Sequence, residues 1–264
     1  MAAGTEFQAG RLGEALVNAK ADVRQNPTDT GCRMFLAELL AFTGELEQAD
    51  THLAAILQLK PDAASVQQMR QLIRAELARR EVFEQGRMPE FASTPPAHVR
   101  LHLKALASLR DNDPEGAAMS LAEAEMERPE IVGSCDGEAF EELRDLDDMT
   151  STVLEAMTAT GEYYWIPLES VIHLEFRPPE SPRDLLWRSA TIEADPGPEG
   201  EIFVPSIYPG SCRADRDALK LGRETVWQGE EGQPIRGLGQ RMLLIGEEDR
   251  PLLSVGTIEL NRAA

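Results

Sequence analysis

The residues best equipped for chemistry in this chain are acidic. Asp136, Glu138, Glu141, Glu142, Asp145, Asp147 and Asp148 fall close together, and a dense set of carboxylate oxygens is what Mg²⁺ or Ca²⁺ requires. Their spacing fits no calcium loop. An Asp directly ahead of the run Met149 to Met157 is instead what a helix N-terminus needs to satisfy its orphan N–H groups, so capping and solvated surface are the roles expected of this cluster. His98 and His102 stand four apart, a spacing that puts two imidazoles on one helix face as in zinc sites. With no catalytic glutamate between them and no third ligand in view, they read as ordinary surface or packing histidines. Gly237-Leu238-Gly239 lacks the further glycine or the Gly-Lys-Ser/Thr ending of a phosphate loop. It reads as a tight turn between strands, with Gln240 and Arg241 fixing that turn or a contact between domains. Ser206, Ser211 and Cys212 are the nucleophiles nearby, His173 is the one histidine in the same half, and no nucleophile elbow is present. No catalytic residue, cofactor site or metal ligand set is expected.

The elements that carry these residues begin with a repeat. Gly10, Leu12, Ala15 and Pro27 recur 34 residues later as Gly44, Leu46, Ala49 and Pro61, which is the tetratricopeptide period. A small residue serves the interhelical turn, Ala the contact between helices, and Pro the end of the second helix. A further 68 residues on, Ala117, Leu121 and Pro129 hold the same places, with Asn112 at the turn. In the frame between, the turn glycine is replaced by Ala78 inside Ala64 to Gln85, an unbroken stretch of good helix formers that predicts one long helix. Leu46, Ala49, Leu53 and Ile56 lie on one helix face, with Phe35, Leu36, Leu39 and Leu40 opposite.

Composition narrows the function classes. The chain has 264 residues and a net charge of −20; residues 1–130 carry 14 basic and 20 acidic side chains, and residues 131–264 carry 12 and 26. A nucleic-acid backbone or an anionic membrane surface demands clustered cations, so neither is an expected partner. No stretch is apolar enough for a membrane span, and Met1 to Gln8 has no secretory-signal pattern, which makes the cytoplasm the expected location. Cys32, Cys135 and Cys212 are odd in number and far apart, and read as small buried side chains rather than a disulfide framework.

All Trp and Tyr residues lie after the helical half: Tyr163, Tyr164, Trp165, Trp187, Tyr208 and Trp227. Strand-like alternation comes with them, in Ile172, Leu174 and Phe176 and again in Ala190, Ile192 and Ala194. Further strands are predicted at 201–208, 241–246 and 253–260, separated by turn signals. The sequence thus predicts an α+β chain. A tetratricopeptide-like helical repeat domain covers 1–130, a linking helical segment 131–162, with a helix or broken helix over 138–160 ending near Gly161, and a small, mostly antiparallel β-rich domain 163–264.

Within the C-terminal half, a family likeness rests on several segments in order: Asp136-Gly137; Arg144 to Asp148 (RDLDD); Tyr163-Tyr164-Trp165-Ile166-Pro167; Arg183 to Arg188 (RDLLWR, with Asp184 and Trp187); Val204 to Ser211 (VPSIYPGS, with Tyr208, Pro209 and Gly210); Gly222 to Thr225 with Trp227; and Gly237 to Arg241 (GLGQR, with Gly239 and Gln240). This set resembles the ImpE family, also called TagJ or SciE, over nearly the whole chain. Val226 stands where the family pattern has an acidic residue. The resemblance implies an accessory protein of the type VI secretion system that is non-enzymatic, cytoplasmic and bound to the small contractile-sheath subunit, TssB, through a helix near that subunit's N-terminus.

Two functions of different class follow: an adaptor that grips a partner helix, and a metal-binding or enzymatic regulator using the acidic cluster around Asp145 to Asp148. A helical-repeat groove suits the first. In the usual tetratricopeptide register the first helix of the second repeat turns Leu36, Ala37 and Leu40 inward and leaves Met34, Glu38 and Ala41 on an open concave face. Those three are the partner-binding residues expected from sequence. The fourth frame breaks this register, since Lys104 and Ser108 would then be buried, and its first helix is expected to be rotated.

Overall fold

The computed structural model describes residues 2–261. Helices open the chain: α1 (Ala2–Gln8), α2 (Leu12–Gln25), α3 (Thr30–Phe42), α4 (Leu46–Leu59), α5 (Ala64–Gln85), α6 (Ala97–Arg110) and α7 (Pro114–Glu127). The 34-residue period is a period in backbone geometry. Gly10, Gly44 and Asn112 occupy the turns of successive hairpins with φ of 81°, 75° and 58°, a region glycine enters freely and asparagine more readily than other side chains. Ala15, Ala49 and Ala117 are fully buried where paired helices touch. Asp29 caps α3 by accepting from the Cys32 amide at 2.9 Å, and Asp113 caps α7 by accepting from Gly116 at 2.9 Å, with Pro114 in the first turn. The long helix α5 runs unbroken as its composition predicts. In α6, Lys104 is exposed and the buried face is His98, Val99, His102, Ala105 and Leu106, so that helix is rotated.

A β-rich region follows: β1 (Gly133–Cys135), β2 (Glu138–Phe140), β3 (Leu143–Asp145), β4 (Val153–Met157), β5 (Tyr163–Pro167), β6 (Val171–Phe176), β7 (Trp187–Ala194), β8 (Glu199–Pro205), the short α8 (Asp217–Lys220), β9 (Thr225–Gln228), β10 (Arg236–Gly239), β11 (Met242–Ile245), β12 (Glu248–Pro251) and β13 (Thr257–Leu260). An eight-stranded antiparallel sheet runs β2-β1-β13-β6-β7-β8-β4-β5, beside a three-stranded sheet β12-β11-β3 and the β9–β10 hairpin. The edge of β5 is closed by the chain's own backbone: the Glu90 amide donates to Tyr163 O at 2.9 Å and Trp165 N donates to Glu90 O at 3.1 Å.

Residues 131–162 are strands, not the expected helical link. The reason is burial on both faces: Val153, Leu154, Glu155, Ala156 and Met157 are all buried, so β4 reads as a continuous run without strand alternation. Ahead of it only a single 3₁₀ turn, Asp148–Thr150, is helical, and Gly161 (φ 91°) turns β4 into β5. Gly237 to Gly239 is likewise strand β10 rather than a turn.

Two clusters of buried side chains form the interior. One lies within the sheets. The other joins the helices to Met149, Val153, Met157, Tyr163, Trp165, Trp187, Phe203, Ile207 and Leu221 of the β-rich region. This shared core fills the face of α3 that the repeat register leaves open. Met34 is half-buried, and Glu38 and Ala41 are only 6% exposed. Glu38 and Ala41 are covered by the 3₁₀ turn Pro182–Leu185 and by Leu186 and Trp187, whose apolar side chains need burial, and Met34 packs against the shared core. The expected partner-binding face is therefore an internal contact.

Candidate functional site

At the junction between α5 and the sheets lies a buried network of charges. Arg79 continues the inward stripe of α5 set by Leu72, Ala75 and Val82. From there its Nε donates to Glu155 Oε1 at 2.6 Å, and its Nη2 to Glu155 Oε2 at 3.1 Å and to Ile207 O at 3.0 Å. Glu155 also accepts from the Tyr163 hydroxyl and from Arg241 Nη2. Arg241 Nη1 donates to Asp145 Oδ2 at 2.7 Å. The same carboxylate accepts from the Tyr208 hydroxyl at 2.8 Å, Thr150 Oγ1 at 3.1 Å and the Asp147 amide at 2.9 Å. Trp165 Nε1 donates to the Tyr163 hydroxyl at 2.7 Å, and Trp187 Nε1 to Glu76 Oε2 at 3.0 Å.

Lone pairs decide what this arrangement can do. A carboxylate offers about four acceptor positions, and four donors reach each of Asp145 and Glu155. Asp147 accepts from Met149 N at 2.8 Å and Gly237 N at 2.9 Å, and Asp148 from Ile235 N at 2.6 Å. The C-terminal part of the acidic cluster is thus taken up by internal donors, with Asp145 and Asp147 each 2% exposed, while Asp136, Glu138 and Glu141 at its start are exposed. Among the described residues no group of three or more His, Cys, Asp or Glu side chains is placed to hold a metal ion. Burial raises the Asp145 carboxyl above its usual range against the pull of Arg241, and raises Asp147 to about 6. It lowers Arg241 and raises the phenols of Tyr163 and Tyr208. Asp147 is an N-cap, but of the single 3₁₀ turn Asp148–Thr150 and not of the helix expected from Met149 to Met157. The solvated reading is corrected for Asp145 and Asp147, which Arg241, Tyr208 and Gly237 reach from distant segments, and stands for the exposed Glu138 and Glu141.

The other motif residues are mostly braces. Asp136 and Gly137 form the β1–β2 turn with φ of 54° and 86°, and Asp136 accepts from Gly256 N at 3.0 Å, Thr257 N at 2.8 Å and Arg250 Nη2 at 2.7 Å. Arg183 and Asp184 build the turn over α3, Arg183 donating to Ser65 O at 3.2 Å and Asp184 accepting from Ser181 N at 2.8 Å. Arg188 donates to Leu252 O at 2.6 Å and Val255 O at 2.8 Å, with its guanidinium 4.8 Å over the Phe176 ring. Tyr164 packs on the sheet core, Trp165 is fully buried, and Pro167 ends β5. Gly237 is glycine because a Cβ there would come within 2.3 Å of the Tyr208 ring, and one at Gly239 within 1.9 Å of Glu224 O. Gln240 bridges to Ile207 and accepts from Thr225 Oγ1 at 2.7 Å.

Trp227 is 44% exposed and lies 5.8 Å from the Tyr208 ring. Nearby, Pro209, Gly210, Val226 and Arg236 border a cleft of about 680 Å³ that reaches Phe83 and Glu84 of α5. Arg144 faces a second cleft, beside α7. His98 and His102 are buried, not on the surface; His98 Nε2 lies 3.2 Å from Glu169 Oε1, and burial beside His98 lowers His102 to about 4. Arg79 and Glu155 were not singled out from sequence. Their signal is a charge on the buried stripe of α5 and a charge inside an apolar strand.

The fold and its junction define a class: a tetratricopeptide array fused through a common interior to a mostly antiparallel β-rich region. Residues 6–73 match the tetratricopeptide repeat family and residues 137–259 the ImpE protein family. Residues 137–259 thus form an ImpE-like region, close to half of the chain. The chain is 29% identical over 254 residues, covering 96% of this chain and 89% of the relative, to the type VI secretion system accessory component TagJ of Pseudomonas aeruginosa. A crystal structure of a protein from Vibrio parahaemolyticus is similar throughout, with TM-score 0.90 at 25% identity, covering 100% of this chain and 98% of that one.

Proposed function

We propose that this protein is an accessory adaptor of a bacterial type VI secretion system, acting in the cytoplasm and without catalysis. Its partner on this reading is the small contractile-sheath subunit, TssB-like, gripped by a helix of that subunit. The observation that carries the reading is the relationship to TagJ over 96% of the chain. The tetratricopeptide match and the four internal donors that fill the Asp145 carboxylate favour a surface that binds over a site that reacts. Among the described residues no helix is long and apolar enough to cross a membrane. The test is co-expression of the full chain with the small sheath subunit of the same genome, followed by gel filtration. A stoichiometric complex is expected, and separate elution of two folded proteins would refute it.

A further inference from the structure

The last helix of the array, α7, is not dressed as an end. In stacked repeats each unit covers the apolar side of the one before it, and the terminal unit presents a polar outer face. On α7, Met119 and Met126 are 74% and 81% exposed, one heptad apart, with Ala118 and Ala122 on the same side of the helix. Glu125 flanks this stripe on one side, Glu123 and Glu127 on the other, and α7 carries four glutamates and no basic residue. The stripe runs into a cleft of about 480 Å³ between α7 and the β-rich region, where Leu121 and Ala122 face Pro234 and Leu244. Ile235, next to that wall, is 40% exposed.

We propose that this outer face of α7 and the adjoining cleft are a docking groove for an amphipathic helix of a partner, with apolar residues three and four apart and Lys or Arg along the flank that meets Glu123 and Glu127. The 14-residue α7 offers about 20 Å of track, enough for roughly four turns of such a helix. Methionines adapt their shape to varied apolar partners. The cationic requirement comes from the rim. Within the cleft Arg128 is already engaged by Glu125 at 2.8 Å and Glu142 at 2.9 Å, and Arg144 lies beside Asp148, while Glu115, Glu123 and Glu127 remain exposed. A second copy of this chain is a poor occupant, since it would set one glutamate-lined face against another in a molecule of net charge −20. The groove rests on the adaptor reading for the partner's role, and on the α7 surface for its chemistry.

The test uses the full chain and two synthetic helical peptides with leucines three and four apart, one flanked by lysines and the other by glutamates at the same positions. In calorimetric titrations the wild type should bind the lysine peptide and not the glutamate peptide. Met119→Glu with Met126→Glu should weaken binding at least about tenfold without moving the melting temperature, because both side chains face solvent. Glu123→Lys with Glu127→Lys should invert the preference between the peptides. No binding of the lysine peptide by the wild type, or equal binding by the methionine variant, would overturn the groove. Copurification of the sheath subunit with the methionine variant at wild-type yield would overturn it as well. Absence of any complex between the wild type and the sheath subunit counts against the adaptor reading instead, since the peptides decide the groove by themselves.

Discussion

Replacing Glu38 by Gln should stabilise the protein above neutral pH and leave it unchanged in acid. Glu38 sits under the turn that carries Arg183 and Asp184, where burial, only partly offset by Arg183, raises its carboxyl from 4.5 to about 7. An acid whose folded pKa is raised is deprotonated first in the unfolded chain, so folding loses stability as pH climbs from about 4.5 to about 7. At about 1.4 kcal/mol for each pKa unit, the cost reaches a ceiling of about 3 kcal/mol at pH 8. Glutamine keeps the shape and a carbonyl to accept from the chain, but carries no charge to desolvate. Urea denaturation of wild type and Glu38→Gln at pH 8 and pH 4.5 should therefore give an advantage to the variant of about 1–3 kcal/mol at pH 8 and near zero at pH 4.5. A variant less stable than wild type at pH 8 would mean that attraction to Arg183 outweighs desolvation, and would refute the reasoning.

Arg241→Met should cost about 3–5 kcal/mol, because it strands Asp145 and Glu155 in the interior; an unchanged urea midpoint would show that the carboxylates find other partners. Acidification should destabilise the fold through His102. Its imidazole is lowered from 6.5 to about 4, so unfolding takes up a proton as pH falls through that range, at a cost of up to about 3 kcal/mol. His102→Leu should flatten the plot of urea midpoint against pH between those values. A fragment of residues 1–130 should lack an independent sharp melt, since its core is completed by Trp165, Trp187 and Ile207; a cooperative transition at the temperature of the whole chain would disprove the dependence.

Much of the helical half could be read before any coordinates, because the features that fix it are local. A left-handed turn demands Gly10, Gly44 or Asn112 at the residue itself, and the absence of a breaker between Ala64 and Gln85 is visible in the same window. Three-residue strands such as Glu138–Phe140 are too short to show a period, and β4 hides its alternation because both faces are covered. Glu38 and Ala41 lie on the face that the repeat register assigns them; what closes it arrives more than 140 residues later in the chain, with Arg183 to Trp187. Asp145 and Asp147 look solvated for a similar reason, since their donors Tyr208, Gly237 and Arg241 are remote in sequence.

The interior shared by helices and sheets has a mechanical meaning. With Arg79 anchored on Glu155 and Ile207 O, and Trp187 held by Glu76, the two regions have neither the slack linker nor the thin, wet contact that lets domains swing. The molecule is a bracket rather than a hinge. Anything fastened along α7 is held at a set distance and angle from anything fastened near Trp227, and a push delivered at one position is felt at the other without being absorbed between them.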